Sequence, residues 1–175
     1  MTAEIWTLTG PARYDAYLAL MEPTSWDPDA WDEVVAHLDD PDHHNRSLAA
    51  QWLCNLASQD ASGRIETDLD ALMAVTRDPR FVTARHALQS LWKIGLGGAG
   101  QRRLILERID GRFRESAGEK NGTLIRSDLV ESLRRLFDAT ADPDVEATAR
   151  ALVECEPDPK YQRKLRKLLE VGRRG

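Results

Sequence analysis

The chain has 175 residues, 42% of them hydrophobic and 30% charged, with a formal net charge of −5. That suits one domain over 1–175, burying about 70% of its extended-chain surface without a staple; Cys54 and Cys155 stand roughly a hundred residues apart with no CxxC, which excludes a disulfide framework or zinc site. No basic region followed by an apolar one opens the chain, and the longest uncharged run, 47–59, falls short of the ~20 residues of a membrane span, so a reducing, cytoplasmic setting without export or membrane insertion is expected.

In chain order, the first predicted element is a helix near 11–21, stopped before Pro23. Asp-Pro pairs then recur at 27–28, 40–41, 78–79, 142–143 and 158–159. Asp accepts a hydrogen bond from an orphan N–H at a helix N-cap, and Pro suits the first helical position because its missing N–H had no partner there. Each pair therefore predicts a helix start. Placing Asp40-Pro41 on Asp78-Pro79, an offset of 38, puts Ala49, Ala50, Leu53 and Leu56 on Ala87, Leu88, Leu91 and Ile94. The preceding helices agree too, with Trp31, Val34 and Val35 on Leu69, Leu72 and Met73 at i, i+3, i+4 spacing. Each unit reads as helix, Asp-Pro turn, helix.

Further along, Leu133, Leu136, Phe137 and Thr140 precede Asp142-Pro143 as Leu69, Leu72, Met73 and Thr76 precede Asp78-Pro79. The helix over 124–139 fits two registers, as the second helix of unit three or the first of unit four; the former gives the helix at 101–113 a partner. Two closing helices are predicted near 143–155 and 159–171. The segment 115–123 reads as a longer loop, the mobile or inserted element. Residues 95–100 match GxGxxG literally but follow a helix, so they read as a C-cap and turn rather than a dinucleotide site.

These units resemble HEAT repeats of the armadillo-type α-solenoids: two antiparallel helices in about 40 residues, with Asp in the turn and Arg six positions later. Asp40 with Arg46 is the fullest copy; unit two has Ala84 at the Arg position with Arg85 beside it, unit three keeps Arg126 without the Asp, and unit four has Asp142 with Thr148. The resemblance implies an all-α, right-handed α–α superhelix of about four two-helix units plus an N-terminal helix. The units would run over 27–58, 64–96, 100–140 and 141–172. It also implies that the Asp and Arg side chains knit successive turns together, fully so only in unit one.

Such folds serve mostly as scaffolds, and the expectation is a non-enzymatic adaptor for another protein, with no cofactor and no metal. If the second helices line the inner surface, as in the family, the exposed partner contacts are Gln51, Asn55, Arg85, Gln89, Lys93, Arg126, Arg134 and Arg135. The alternative is a nucleic-acid-binding relative of the HEAT-like alkylated-base DNA glycosylases, suggested by the five tryptophans and a basic second half. Trp52 and Trp92 flank apolar stripes and read as core, Trp26 and Trp31 as a cap over the first end, and an acidic chain is a poor phosphate binder. Asp39 to His44 carries metal-ligand residue types, but the adjacent histidines diverge on a helix, and the His-Glu pairs of HEAT-like iron hydroxylases are missing.

Charge divides along the chain: residues 1–79 hold 15 acids and 4 bases, residues 80–175 hold 14 acids and 20 bases. An elongated molecule would thus have oppositely charged ends. The basic segment from Lys160 to Lys167, followed by Arg173-Arg174, reads as a helix capping the last unit or as a docking surface for an acidic protein or nucleic acid. Arg outnumbers Lys 19 to 5, as suits a GC-rich bacterial gene.

Overall fold

The computed structural model describes residues 2–22 and 28–170, and every regular element among them is helical. A short α1 (Thr2–Ile5) is followed by α2 (Gly10–Met21), α3 (Pro28–Ala36), α4 (His43–Ala57), α5 (Ile65–Val75) and α6 (Phe81–Ser90). Then come α7 (Ala99–Glu115), α8 (Gly122–Thr140), α9 (Pro143–Glu154) and α10 (Pro159–Glu170). No helix among the described residues is long and apolar enough to cross a membrane. Trp26, Asp27 and Arg173–Arg174 lie outside the described residues.

The helices form two packed rows. In one, α3, α5, α7 and α9 contact each other in succession; in the other, α2, α4, α6, α8 and α10 do so, and each helix of the first row packs on the next helix of the second. Helix α8 accordingly stands between α6 and α10, in the row of the second helices. The core lies between the rows. Positions matched by the repeat alignment meet there, with Ala49, Ala87, Leu53, Leu91 and Ile94 fully buried and Leu56 nearly so. Burying each large side chain stabilises by about 1.5–3 kcal/mol, which is why the 3.6-residue pattern dictates which face turns inward. Trp31 and Trp52 are buried and Trp92 partly so, packed on the core as their stripes require.

The four described Asp-Pro pairs make one common hydrogen bond. Asp40, Asp78, Asp142 and Asp158 each accept through Oδ1 from the N–H two residues on, at 2.7–2.9 Å. At 142–143 and 158–159 Pro is the first helical residue, as expected. At 40–41 and 78–79 the helix starts later, at His43 and Phe81. The cap of α4 is Asp42, whose Oδ1 accepts from the His44 N–H at 2.8 Å, because Asp40 is committed to the turn, meeting His37 Nδ1 and Asn45 Nδ2 as well.

Two further differences concern the connections. Helix α6 tightens into a 3₁₀ segment over Leu91–Gly97, where glycines permit close approach: a Cβ on Gly95 would lie 2.7 Å from Leu136 Cδ2, and one on Gly97 2.5 Å from the Ala57 carbonyl. The segment 115–123, expected as a loose loop, is instead tied down. It contains a 3₁₀ turn, Ser116–Gly118, with Ser116 buried, and the buried Arg112 guanidinium binds Glu119 while donating to the Thr76 carbonyl and hydroxyl.

Candidate functional site

Helix α2 carries no buried residue, yet it is fastened across α4 by polar contacts. Arg13 donates from Nη2 to Asn45 Oδ1 at 2.7 Å, and Tyr17 donates its hydroxyl to Gln51 Oε1 at 2.9 Å. Asn55 Nδ2 donates to the carbonyls of Leu20 and Glu22, satisfying groups left open where α2 ends. This crossing leaves a groove of about 380 Å³, lined by Arg13, Tyr14 and Tyr17 from α2, by His44, Ser47, Leu48 and Gln51 from α4, and by His86 from α6. The volume is that of a small ligand or a few peptide side chains.

The groove floor is a connected polar chain. Gln51 Nε2 donates to the Ser47 carbonyl and hydroxyl oxygen, and the Ser47 hydroxyl meets His86 Nδ1 at 2.7 Å. Burial of the inner edge of the ring, then the neighbouring Arg85 charge, lower the His86 pKa against an opposing pull from Asp128. The lowered pKa favours the neutral imidazole at neutral pH, whose Nδ1 shares its hydrogen bond with the Ser47 hydroxyl. Burial and then Tyr14, whose ring stacks on it at 6.3 Å, raise the Tyr17 pKa, which keeps the hydroxyl that binds Gln51 protonated. A hydroxyl beside an imidazole resembles a nucleophile and base. Here no carboxylate among the described residues hydrogen-bonds that imidazole, and Ser47 sits within α4. The arrangement is suited to binding: an aromatic, partly apolar surface with donors and acceptors at its base.

Of the sequence-derived contacts, Gln51 lies in this groove. Asn55 and Arg126 are each only 6% exposed, which corrects their placement on an open surface. Asn55 is occupied by α2 and by Lys93 Nζ at 3.3 Å. Arg126 is paired with Glu156 in the α9–α10 turn. Arg85 binds Asp128 at two points, 2.8 Å each, and Gln89 donates to the same carboxylate at 2.9 Å. Lys93 is half-buried, its pKa lowered chiefly by that burial. Arg134 and Arg135 form i, i+4 pairs with Asp138 and Glu131 on α8. Asn55, Arg85, Gln89 and Lys93 thus stitch neighbouring helices of the second row to one another. Arg13, Tyr14, Tyr17, Ser47 and His86, which the structure brings together, carry no motif. Their only trace in sequence is the Tyr pair at i, i+3 in a helix that is otherwise without a buried face.

At the start of α4, donor atoms of Asp42, His43 and His44 lie within 4.8 Å of one another, with the two rings 4.0 Å apart. Asp42 Oδ1 is spent on capping, and the helix N-terminus adds positive potential that disfavours a cation. No family model, curated protein or solved structure matches the chain.

Proposed function

We propose that the chain is a HEAT-like adaptor of the reducing cytoplasm that binds another protein without performing chemistry, and that the α2–α4–α6 groove receives the partner. The observation that carries this reading is the groove itself: Tyr14, 61% exposed, beside Tyr17, Arg13 and His86 on a rigid two-row scaffold. Exposed Tyr with Arg beside a partly apolar groove is the composition of energetic hot spots at protein interfaces. Exposed Leu18, one turn beyond Tyr14, extends the apolar surface along α2. The two-row packing and the Arg46–Asp78 contact between units support the HEAT likeness. Against a nucleic-acid role for the predicted contacts stands the pairing of Arg85, Arg126, Arg134 and Arg135 with carboxylates, which ties up those four positive charges.

The test is a photo-crosslinking amino acid at position 14, with one at exposed Glu66 on the other row as the control, followed by mass spectrometry from native cells. A protein crosslinked from position 14, absent from position 66 and lost when Tyr17→Ser and Arg13→Ser are added, is expected. Identical crosslinked sets from both positions would sink the groove assignment.

A further inference from the structure

Helix α10 is strongly amphipathic. Leu165 is buried, and Leu168 and Leu169 pack against the core, so its apolar stripe is spent within the molecule. On the opposite side, Lys160, Arg163, Lys164 and Lys167 fall at i, i+3, i+4 and i+7, one continuous strip about 10 Å long. All four are exposed, and among the described residues none forms an ion pair. Elsewhere in this row five arginines are neutralised: Arg46 by Asp78, Arg85 by Asp128, Arg126 by Glu156, and Arg134 and Arg135 along α8. On α10 itself Arg166, turned toward α9, is paired with Glu154. Tyr161 lies between the first bases of the strip, with Lys164 Nζ 5.1 Å and Lys160 Nζ 6.0 Å from its ring centroid, a flat footing beside the charges.

Four like charges at one-turn spacing repel each other and destabilise the helix that carries them. From this unbalanced strip we infer that α10 is a docking surface for an acidic segment of a partner protein, separate from the groove and independent of what the groove binds. Complementary charge identifies the occupant: carboxylates spaced along a short stretch of chain would neutralise the strip. A membrane fits less well, because the leucines that would enter lipid face the core. Duplex nucleic acid also fits less well, because the strip is only about 10 Å long and exposed acids stand elsewhere on the same two helices, Glu170 on α10 and Asp144 and Glu154 on α9.

The experiment titrates the full-length protein into a fluorescein-labelled oligo-glutamate peptide and follows anisotropy, beside a labelled DNA duplex and phosphatidylserine vesicles. Saturable peptide binding is expected, weakening on the order of tenfold between ~50 and ~200 mM salt as the Debye length shortens. Reversing the strip with Lys160→Glu, Arg163→Glu, Lys164→Glu and Lys167→Glu should abolish it. The neutral set with Gln at the same positions should weaken it at least about tenfold and guards against misfolding in the reversed protein. Reversal of three unpaired exposed bases elsewhere, Arg80→Glu, Arg103→Glu and Lys120→Glu, should change it less than about threefold. No peptide binding, equal loss in both reversed proteins, or tighter binding of duplex or vesicles overturns the proposal. So does sedimentation showing self-association that the strip variants dissolve, since the occupant is then a second copy.

Discussion

Arg46 of α4 closes a two-point ion pair on Asp78 in the turn of the following unit, Nε to Oδ2 at 2.6 Å and Nη2 to Oδ1 at 3.1 Å, while its Nη1 holds the Asp40 carbonyl at 2.7 Å. One guanidinium thus ties its own turn to the next. With Asp78 side-chain exposure at 3%, removing the negative charge strands a largely buried cation. Asp78→Asn, which preserves the acceptor for the Arg80 N–H, should cost about 2–4 kcal/mol in urea unfolding. Burial alone would raise the Asp78 pKa, but the Arg46 and Arg80 hydrogen bonds bring it below the ordinary 3.8. The folded state therefore binds this proton more weakly than the unfolded chain. Its stabilisation is complete above the ordinary carboxylate range and is lost as pH falls through the depressed value. Thermal melts from neutral pH downward should show a shallower acid limb in Asp78→Asn than in the parent.

The approach of Leu136 to Gly95 gives a second expectation. An added Cβ would sit 2.7–2.8 Å from both Leu136 methyls, inside any real contact. Gly95→Ala should destabilise by about 1–3 kcal/mol through overpacking. Combining it with Leu136→Val should cost less than the sum of the two single changes, a coupling readable in a double-mutant cycle of denaturant midpoints.

The two thiols should differ sharply in reactivity. Cys54 is fully buried and its pKa is pushed to about 12 by that burial, against a weaker opposing effect of Lys93, whereas Cys155 is exposed. Since the thiolate is the reactive form, iodoacetamide on the native protein should add a single group, at Cys155, by mass spectrometry. Denatured protein should take two.

The repeat was legible because its signals are local: the apolar stripe through Leu53 and Leu91 and the Asp-Pro turns depend on neighbours within a few residues. Contacts between units were less so. Arg126 reads as the Arg of unit three, but its acid, Glu156, lies in the turn between α9 and α10 ahead of Pro157 rather than in an Asp-Pro pair, so no register points to it. Asn55 and Lys93 read as polar surface because nothing in α2 declares where it docks; their burial follows from a helix crossing them. The groove was invisible for the same reason, being a product of that crossing.

His86 reports on the groove directly. Burial and the Arg85 charge hold its pKa below the ordinary 6.5, so the folded state resists protonation and this contribution to stability is lost as pH falls below that value. An NMR titration of the imidazole should give a midpoint under 6.5. Arg85→Gln should move it upward, because a repelling cation is removed and the attracting Asp128 is left unneutralised.

Arg126 and Glu156 provide the sharpest energetic test. Their side chains are 7% and 1% exposed, and the guanidinium lies 5.9 Å from the centroid of the Phe113 ring. Charges this deep lose hydration that their attraction only offsets, so the pair as a whole contributes little, yet neither member tolerates loss of the other. Glu156→Ala should cost about 3–5 kcal/mol, since Arg126 Nη1 has no partner among the described residues and the other nitrogens would join it. Replacing both, with Arg126→Met and Glu156→Leu, should recover most of that loss, because apolar groups of similar volume leave no charge behind. A double change as destabilising as Glu156→Ala alone would show that the pair contributes net stability here, beyond satisfying its own desolvation.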